Sequence, residues 1–199
     1  MRYPVVAIER EYASGGSEIG EKLAVKLGIP FYGQEILDLA SEKLSVPSEY
    51  LADLEESITS SFFYNFGMFS KYISGEDFDV LTPEQRLTVI EAEIINTVSV
   101  SPCVIIGRGA AALLKDRASV LRVFIHADYK TRADRAISMY KVNPNQVESV
   151  LRHHDRRRAT YFKVTTATEW KATAIYHMFL NSGMLGIDKT VDILYASVK

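Results

Sequence analysis

Short runs of apolar residues that break off at polar helical sequence constrain this chain more than any other feature. Val5-Val6-Ala7-Ile8 gives way to the polar stretch 9–17, Cys103-Val104-Ile105-Ile106 gives way to Gly107, and residues 121–125, apolar but for Arg122, precede a helical segment. Unbroken apolar runs of this length suit strands buried on both faces, which belong to parallel sheets covered by helices. Residues 176–180 read as a last strand, and Ile187, Val191 and Leu194 as one face of a C-terminal helix. Strands alternating with helices predict an α/β fold with a mostly parallel sheet, in which ligands sit beyond the carboxyl ends of the strands.

The helices are legible from their period. Ile19, Leu23, Ala24 and Leu27 follow the first strand at helical spacing; Ser17 can cap their start, and Gly28-Ile29-Pro30 closes them. Residues 34–56 read as two amphipathic helices broken at Pro47. Thr82-Pro83-Glu84-Gln85 opens a long helix that carries Leu87, Ile90, Glu91, Ile94 and Ile95 in period to Val98. Seven aromatic residues between 62 and 78 mark the main shift in composition and read as core or as the contact of a homo-oligomer, in preference to a base-stacking shelf.

Four places carry residues suited to chemistry. The loop Arg10-Glu11-Tyr12-Ala13-Ser14-Gly15-Gly16-Ser17-Glu18 lies between a strand and a helix N-terminus, where unpaired N–H groups and the helix dipole attract an anion. It does not meet G-x-x-x-x-G-K-[ST]: aligned on Gly16, Ser17 stands for the lysine and Glu18 for the Ser/Thr. Arg108, between Gly107 and Gly109, is expected at the carboxyl end of a central strand, where a guanidinium forks onto phosphate. Arg132 and Arg135 share a face of the helix after the fourth strand. Arg152-His153-His154-Asp155-Arg156-Arg157-Arg158 packs four arginines into seven residues of a chain with net charge -2, so it is expected in a folded lid that meets a transferring phosphoryl group. The adjacent histidines have no further ligands at metal spacing. The charge balance argues against nucleic acid, and the lone Cys103 reads as a buried hydrophobe in a reducing cytoplasm. With no long apolar run, a soluble cytoplasmic protein is expected.

These segments together resemble the cytidylate kinase-like family of P-loop nucleoside monophosphate kinase relatives. Residues 8–19 are similar to the family's opening I-x-R-E-[YF]-G-S-G-G-R-E-I, residues 29–36 to I-P-[FY]-Y-D-K-E-I, residues 104–109 to V-I-I-G-R-G and residues 155–162 to D-x-x-R-x-x-Y-Y; Asn181-Ser182 and Leu185-Gly186-Ile187 are similar to its closing segment. The resemblance implies a P-loop NTPase fold in one domain: a five-stranded parallel core (1–33, 99–140 and 171–199), a helical monophosphate-binding insertion (34–98) and an arginine-rich lid (141–170). It implies ATP with Mg²⁺ as phosphate donor and a nucleotide such as CMP as acceptor. Arg10, Ser14, Gly15, Gly16, Ser17 and Glu18 would hold the donor, Arg108, Arg132 and Arg135 the acceptor, and Arg152, Arg156 and Arg158 would act on the transferring group. No protein residue is assigned to a metal. The chain departs from the family pattern at Ser17, where the family has arginine, and at Gly33, where it has aspartate. Three readings therefore compete: an active phosphotransferase, a nucleotide-binding regulator with a degenerate loop, and an RNA-associated protein.

Overall fold

A computed structural model describes residues 1–57 and 81–199. The aromatic segment 62–78 lies outside the described residues. Val5–Arg10 forms β1, Phe31–Tyr32 β2, Cys103–Ile106 β3, Val120–His126 β4 and Met178–Asn181 β5. All pairings are parallel, in the order β2-β3-β1-β4-β5. The central place of β1 explains its unbroken apolar run, since it is flanked by strands on both edges and by helices on both faces. Val5 and Ala7 enter one core cluster and Val6 and Ile8 the other, the alternation a pleated strand imposes.

The face of Val6 and Ile8 is covered by α1 (Gly16–Leu27) and by a C-terminal helix (Ile187–Val198), through Ile19, Leu23, Val191 and Leu194. The α1 helix ends where Gly28 turns left-handed and returns its N–H to the Ala24 and Val25 carbonyls. The opposite face is covered by α2 (Glu35–Leu44), α3 (Ser48–Ser57) and α4 (Pro83–Val98), with Phe162 and Trp170 completing the cluster. At the start of α4, Thr82 and Gln85 form a reciprocal capping box with Pro83 in the first turn. A short α5 (Ala110–Leu113) follows β3, α6 (Tyr129–Ser138) follows β4, and α7 (Val147–Thr166) is the longest helix among the described residues. Helix α8 (Ser182–Leu185) then links β5 to the C-terminal helix, α9.

Two expectations are corrected, and one strand left no signal in the sequence. Periodicity does not reveal β2, because two residues are too few to show a pattern. The last strand begins at Met178, two residues late, because the chain is still leaving a 3-10 turn over Thr173–Ile175, with the Tyr176 N–H on the Thr173 carbonyl at 3.3 Å. Ser17 does not cap α1; the helix begins at Gly16 after a left-handed Gly15, which leaves Ser17 inside the first turn. Cys103 is buried as expected, and burial pushes its thiol up to about 11. No helix among the described residues is long and apolar enough to cross a membrane.

Candidate functional site

The loop of residues 11–15 leaves the carboxyl end of β1 and delivers the chain to α1. Ala13 and Gly15 both take left-handed φ, 59° and 79°, and a Cβ at Gly15 would come within 2.4 Å of Ile187 Cδ1. The Ser14 hydroxyl donates to the Glu11 carbonyl at 2.9 Å, while the Ser14 carbonyl accepts from the Ser182 hydroxyl. Among the described residues no side chain caps α1, which leaves its first N–H groups and positive dipole end to attract an anion.

Beside this loop, over the carboxyl ends of β1 and β3, lies a cavity of about 210 Å³ lined by Glu9, Arg10, Glu55, Arg108, Arg157 and Arg158, with His154, Tyr161 and Phe162 completing its wall. Four guanidinium groups share this small cavity with two carboxylates, Glu9 and Glu55, an excess of cations that favours an anion. Arg10 shows this most plainly. Its side chain crosses to β3, where a Cβ at Gly107 would meet Arg10 Nη1 at 2.1 Å, and its Nε is buried without a hydrogen-bond partner among the described residues. Burial and the neighbouring Arg158 and Arg108 push its guanidinium down to about 9.

Arg108 is held differently. Gly107, Arg108 and Gly109 take left-handed φ in succession, 73°, 51° and 70°, which turns the arginine side chain back under the cavity. There Nε donates to Glu91 Oε1 at 2.8 Å and Nη1 to the Gly33 carbonyl at 2.6 Å, while Glu55 lies 3.1 Å away. Against the burial that would lower it, Glu55 and Glu91 hold this guanidinium above its ordinary value. The Tyr161 hydroxyl donates to the other Glu91 oxygen.

The arginine run falls on α7, whose phase decides which arginines meet the cavity. His154, Arg157, Arg158, Tyr161 and Phe162 recur at helical spacing on the inner face, and Arg158 donates to the Arg10 carbonyl at 3.0 Å. Arg152 and Arg156, four residues apart, lie on the other side; Arg152 is exposed and pairs with Glu148. Of the three lid arginines expected from sequence, the structure brings one to the cavity and adds Arg157 beside it.

The remaining expected residues brace the loop. Arg132 donates from Nε to the Tyr12 carbonyl at 2.8 Å and pairs with Glu11 and Asp155, so its guanidinium is saturated by protein acceptors and does not reach the cavity. Asp155 also accepts the Tyr12 N–H at 2.8 Å, which ties α7 to the loop. Arg135 lies over the loop, its Cζ 3.5 Å from the Cβ position of Gly15, and pairs with Glu18 at 2.9 Å. Glu18 is held below the usual carboxylate range by Arg135 and Lys22. Ser17 sits half-buried in the first turn of α1. The sequence reading missed Glu9, Glu55, Glu91, Arg157 and Tyr161 as members of the site. Glu91 had a signal, a carboxylate inside the apolar stripe of α4. Glu55 had none, being one acid among several on an exposed-looking helix.

A family model described as the cytidylate kinase-like family matches residues 5–184. No curated protein matches the chain. Among solved structures, an uncharacterized protein from Eubacterium ventriosum superposes with a TM-score of 0.71 at 20% identity, over 98% of this chain and 97% of that one. A shikimate kinase from Bacteroides thetaiotaomicron gives 0.53 at 14% identity over 98% and 97%, and a shikimate kinase from Acinetobacter baumannii in complex with shikimate gives 0.52 at 14% over 98% and 93%. At such identities the likeness carries the fold: a kinase-like P-loop architecture with a five-stranded, all-parallel sheet.

Proposed function

The chain belongs to the cytidylate kinase-like family, and from that premise we propose that it is a phosphotransferase that moves the γ-phosphate of ATP onto a small anionic acceptor in the arginine cavity. A nucleoside monophosphate such as CMP is the first acceptor to test, on the family's description. The hydroxy acid bound by the Acinetobacter protein supplies a second acceptor class. The observation that carries the proposal is the cavity of Arg10, Arg108, Arg157 and Arg158 opening beside an uncapped helix N-terminus, an arrangement that supports a donor site next to an acceptor site.

ATP enters as its magnesium complex, with the metal carried on the triphosphate as part of the substrate. The backbone of residues 13–17 cradles its phosphates. Arg135, lying over Gly15, supplies the cation that Ser17 does not. Arg10 and Arg158 meet the transferring group, where charge spreads over three equatorial oxygens and positioned cations do most of the work. Arg108, fixed by two carboxylates and a carbonyl, shapes the acceptor end.

Ser17 and the committed Glu18 favour a second reading, a nucleotide-binding regulator without turnover. One experiment separates the two. ADP release from MgATP is followed with CMP, other nucleoside monophosphates and shikimate as acceptors, beside calorimetry of MgATP. Turnover is the expected result; MgATP binding with no turnover on any acceptor overturns the phosphotransferase and leaves the regulator.

A further inference from the structure

The cavity holds one carboxylate that arginine recognition of phosphate leaves unused. Glu9, the fifth residue of β1, is 3% exposed and lines the cavity. Its Oε2 accepts the Trp170 indole N–H at 3.1 Å, and Trp170 is itself buried against Phe124, so the carboxylate is held in place. Its Oε1 is buried with no hydrogen-bond partner among the described residues. Such an oxygen calls for a donor, and neither a phosphate dianion nor a carboxylate brings one. A hydroxyl does.

We propose that the acceptor is a small anionic alcohol and that Glu9 is its general base: the anion rests on the cavity arginines while the hydroxyl hydrogen-bonds Oε1 of Glu9. The inference rests on the phosphotransferase reading and names its acceptor class. The acceptor oxygen bonds to the γ-phosphorus as the bond from that phosphorus to the β–γ bridging oxygen breaks. The electron pair of that bond leaves with ADP, and the hydroxyl proton passes to Glu9 Oε1. Burial pushes the Glu9 carboxyl above its ordinary range, against the pull of Arg10, the Trp170 N–H, Arg158 and the Gly109 N–H, which makes it a stronger base than an ordinary carboxylate. A nucleoside monophosphate attacks through a phosphate oxygen that is largely deprotonated at pH 7, with a second pKa of about 6, and needs no such base.

The test follows ADP release from MgATP with two acceptor sets, CMP, UMP and AMP in one and glycerate, quinate and ribose 5-phosphate in the other, using wild type, Glu9→Gln and Glu9→Asp. Gln keeps an oxygen for the Trp170 N–H and removes the base. Turnover is expected with the hydroxyl set, and Glu9→Gln is expected to lower kcat by ~10²-fold or more, the scale of a lost general base, while MgATP affinity by calorimetry stays within about twofold. If Glu9→Gln fails to fold, Glu9→Asp takes its place, with a base set back by one methylene and kcat down by about tenfold. Turnover confined to the nucleoside monophosphates, or a foldable variant that keeps kcat within about threefold, overturns the role of Glu9 and leaves the phosphotransferase standing. Wild type that turns over neither set overturns both.

Discussion

A carboxylate as deeply buried as Glu91 persists only because a guanidinium and a phenol meet it, Arg108 at 2.8 Å and the Tyr161 hydroxyl. Burial and the neighbouring Glu55 nonetheless push its carboxyl up to about 8, against the pull of Arg108. The folded state therefore binds the Glu91 proton more tightly than the unfolded chain, whose glutamate titrates near 4.5. The stability this contributes is fully present below that lower value and declines as pH rises through about 8. Urea unfolding between pH 5 and 9 is expected to show this loss in wild type and a flatter profile in Glu91→Gln, which keeps the hydrogen-bonding shape and cannot ionise. Glu91→Ala is expected to cost ~1–3 kcal/mol in the same measurement, the penalty for taking a buried hydrogen-bond partner from Arg108 and Tyr161, since Arg108 keeps Glu55 and the Gly33 carbonyl. This residue was half legible in the sequence. Its place in the apolar stripe of α4 marked it as odd, but its partners come from positions 17 and 70 residues away, a pairing that no local pattern encodes.

Helix α7 shows what a run of like residues hides. Four arginines in seven residues announce a charged element, yet a helix turns 100° per residue, and only the packing of its inner face decides which of them point to the cavity. Leu151 and Phe162 fix that phase by burying against the body of the protein. Arg158 therefore reaches the Arg10 carbonyl, while Arg152 pairs with Glu148 at the surface. In the ADP-release assay, Arg158→Ala is expected to lower kcat by ~10³-fold or more, as loss of a transition-state arginine does. Arg152→Ala is expected to stay within about twofold, because an exposed i,i+4 pair contributes only a few tenths of a kcal/mol. Equal losses in the two variants would mean that the helix is repositioned during turnover.

Across the whole molecule, the parallel sheet was the most legible part, because strands buried on both faces write themselves as apolar runs. Strand β2 and the loop geometry were the least, because a two-residue strand and a left-handed turn are set by what packs on them. The site gathers four arginines and two lining carboxylates, Glu9 and Glu55, at one edge of a protein whose net charge is -2, so the cavity keeps a local excess of cations. Bound MgATP should consequently meet this excess of cations and stabilise the folded chain. At a hundredfold excess over its Kd, MgATP is expected to stabilise the fold by ~2.7 kcal/mol, or roughly 5–10 °C in Tm for a chain of this size. Differential scanning fluorimetry reads this directly, and a Tm that MgATP leaves unmoved would count against a nucleotide site. The succession of left-handed residues at 107–109 carries a consequence for the order of folding. Arg108 is a side chain that local sterics disfavour in that conformation, and the contacts that outweigh the cost come from Gly33, Glu55 and Glu91, on segments distant in the chain. The turn is locally frustrated until those segments have docked. The 107–109 turn is therefore expected to close only once the Gly33 segment, α3 and α4 have docked beside β3, so this side of the cavity takes its shape late.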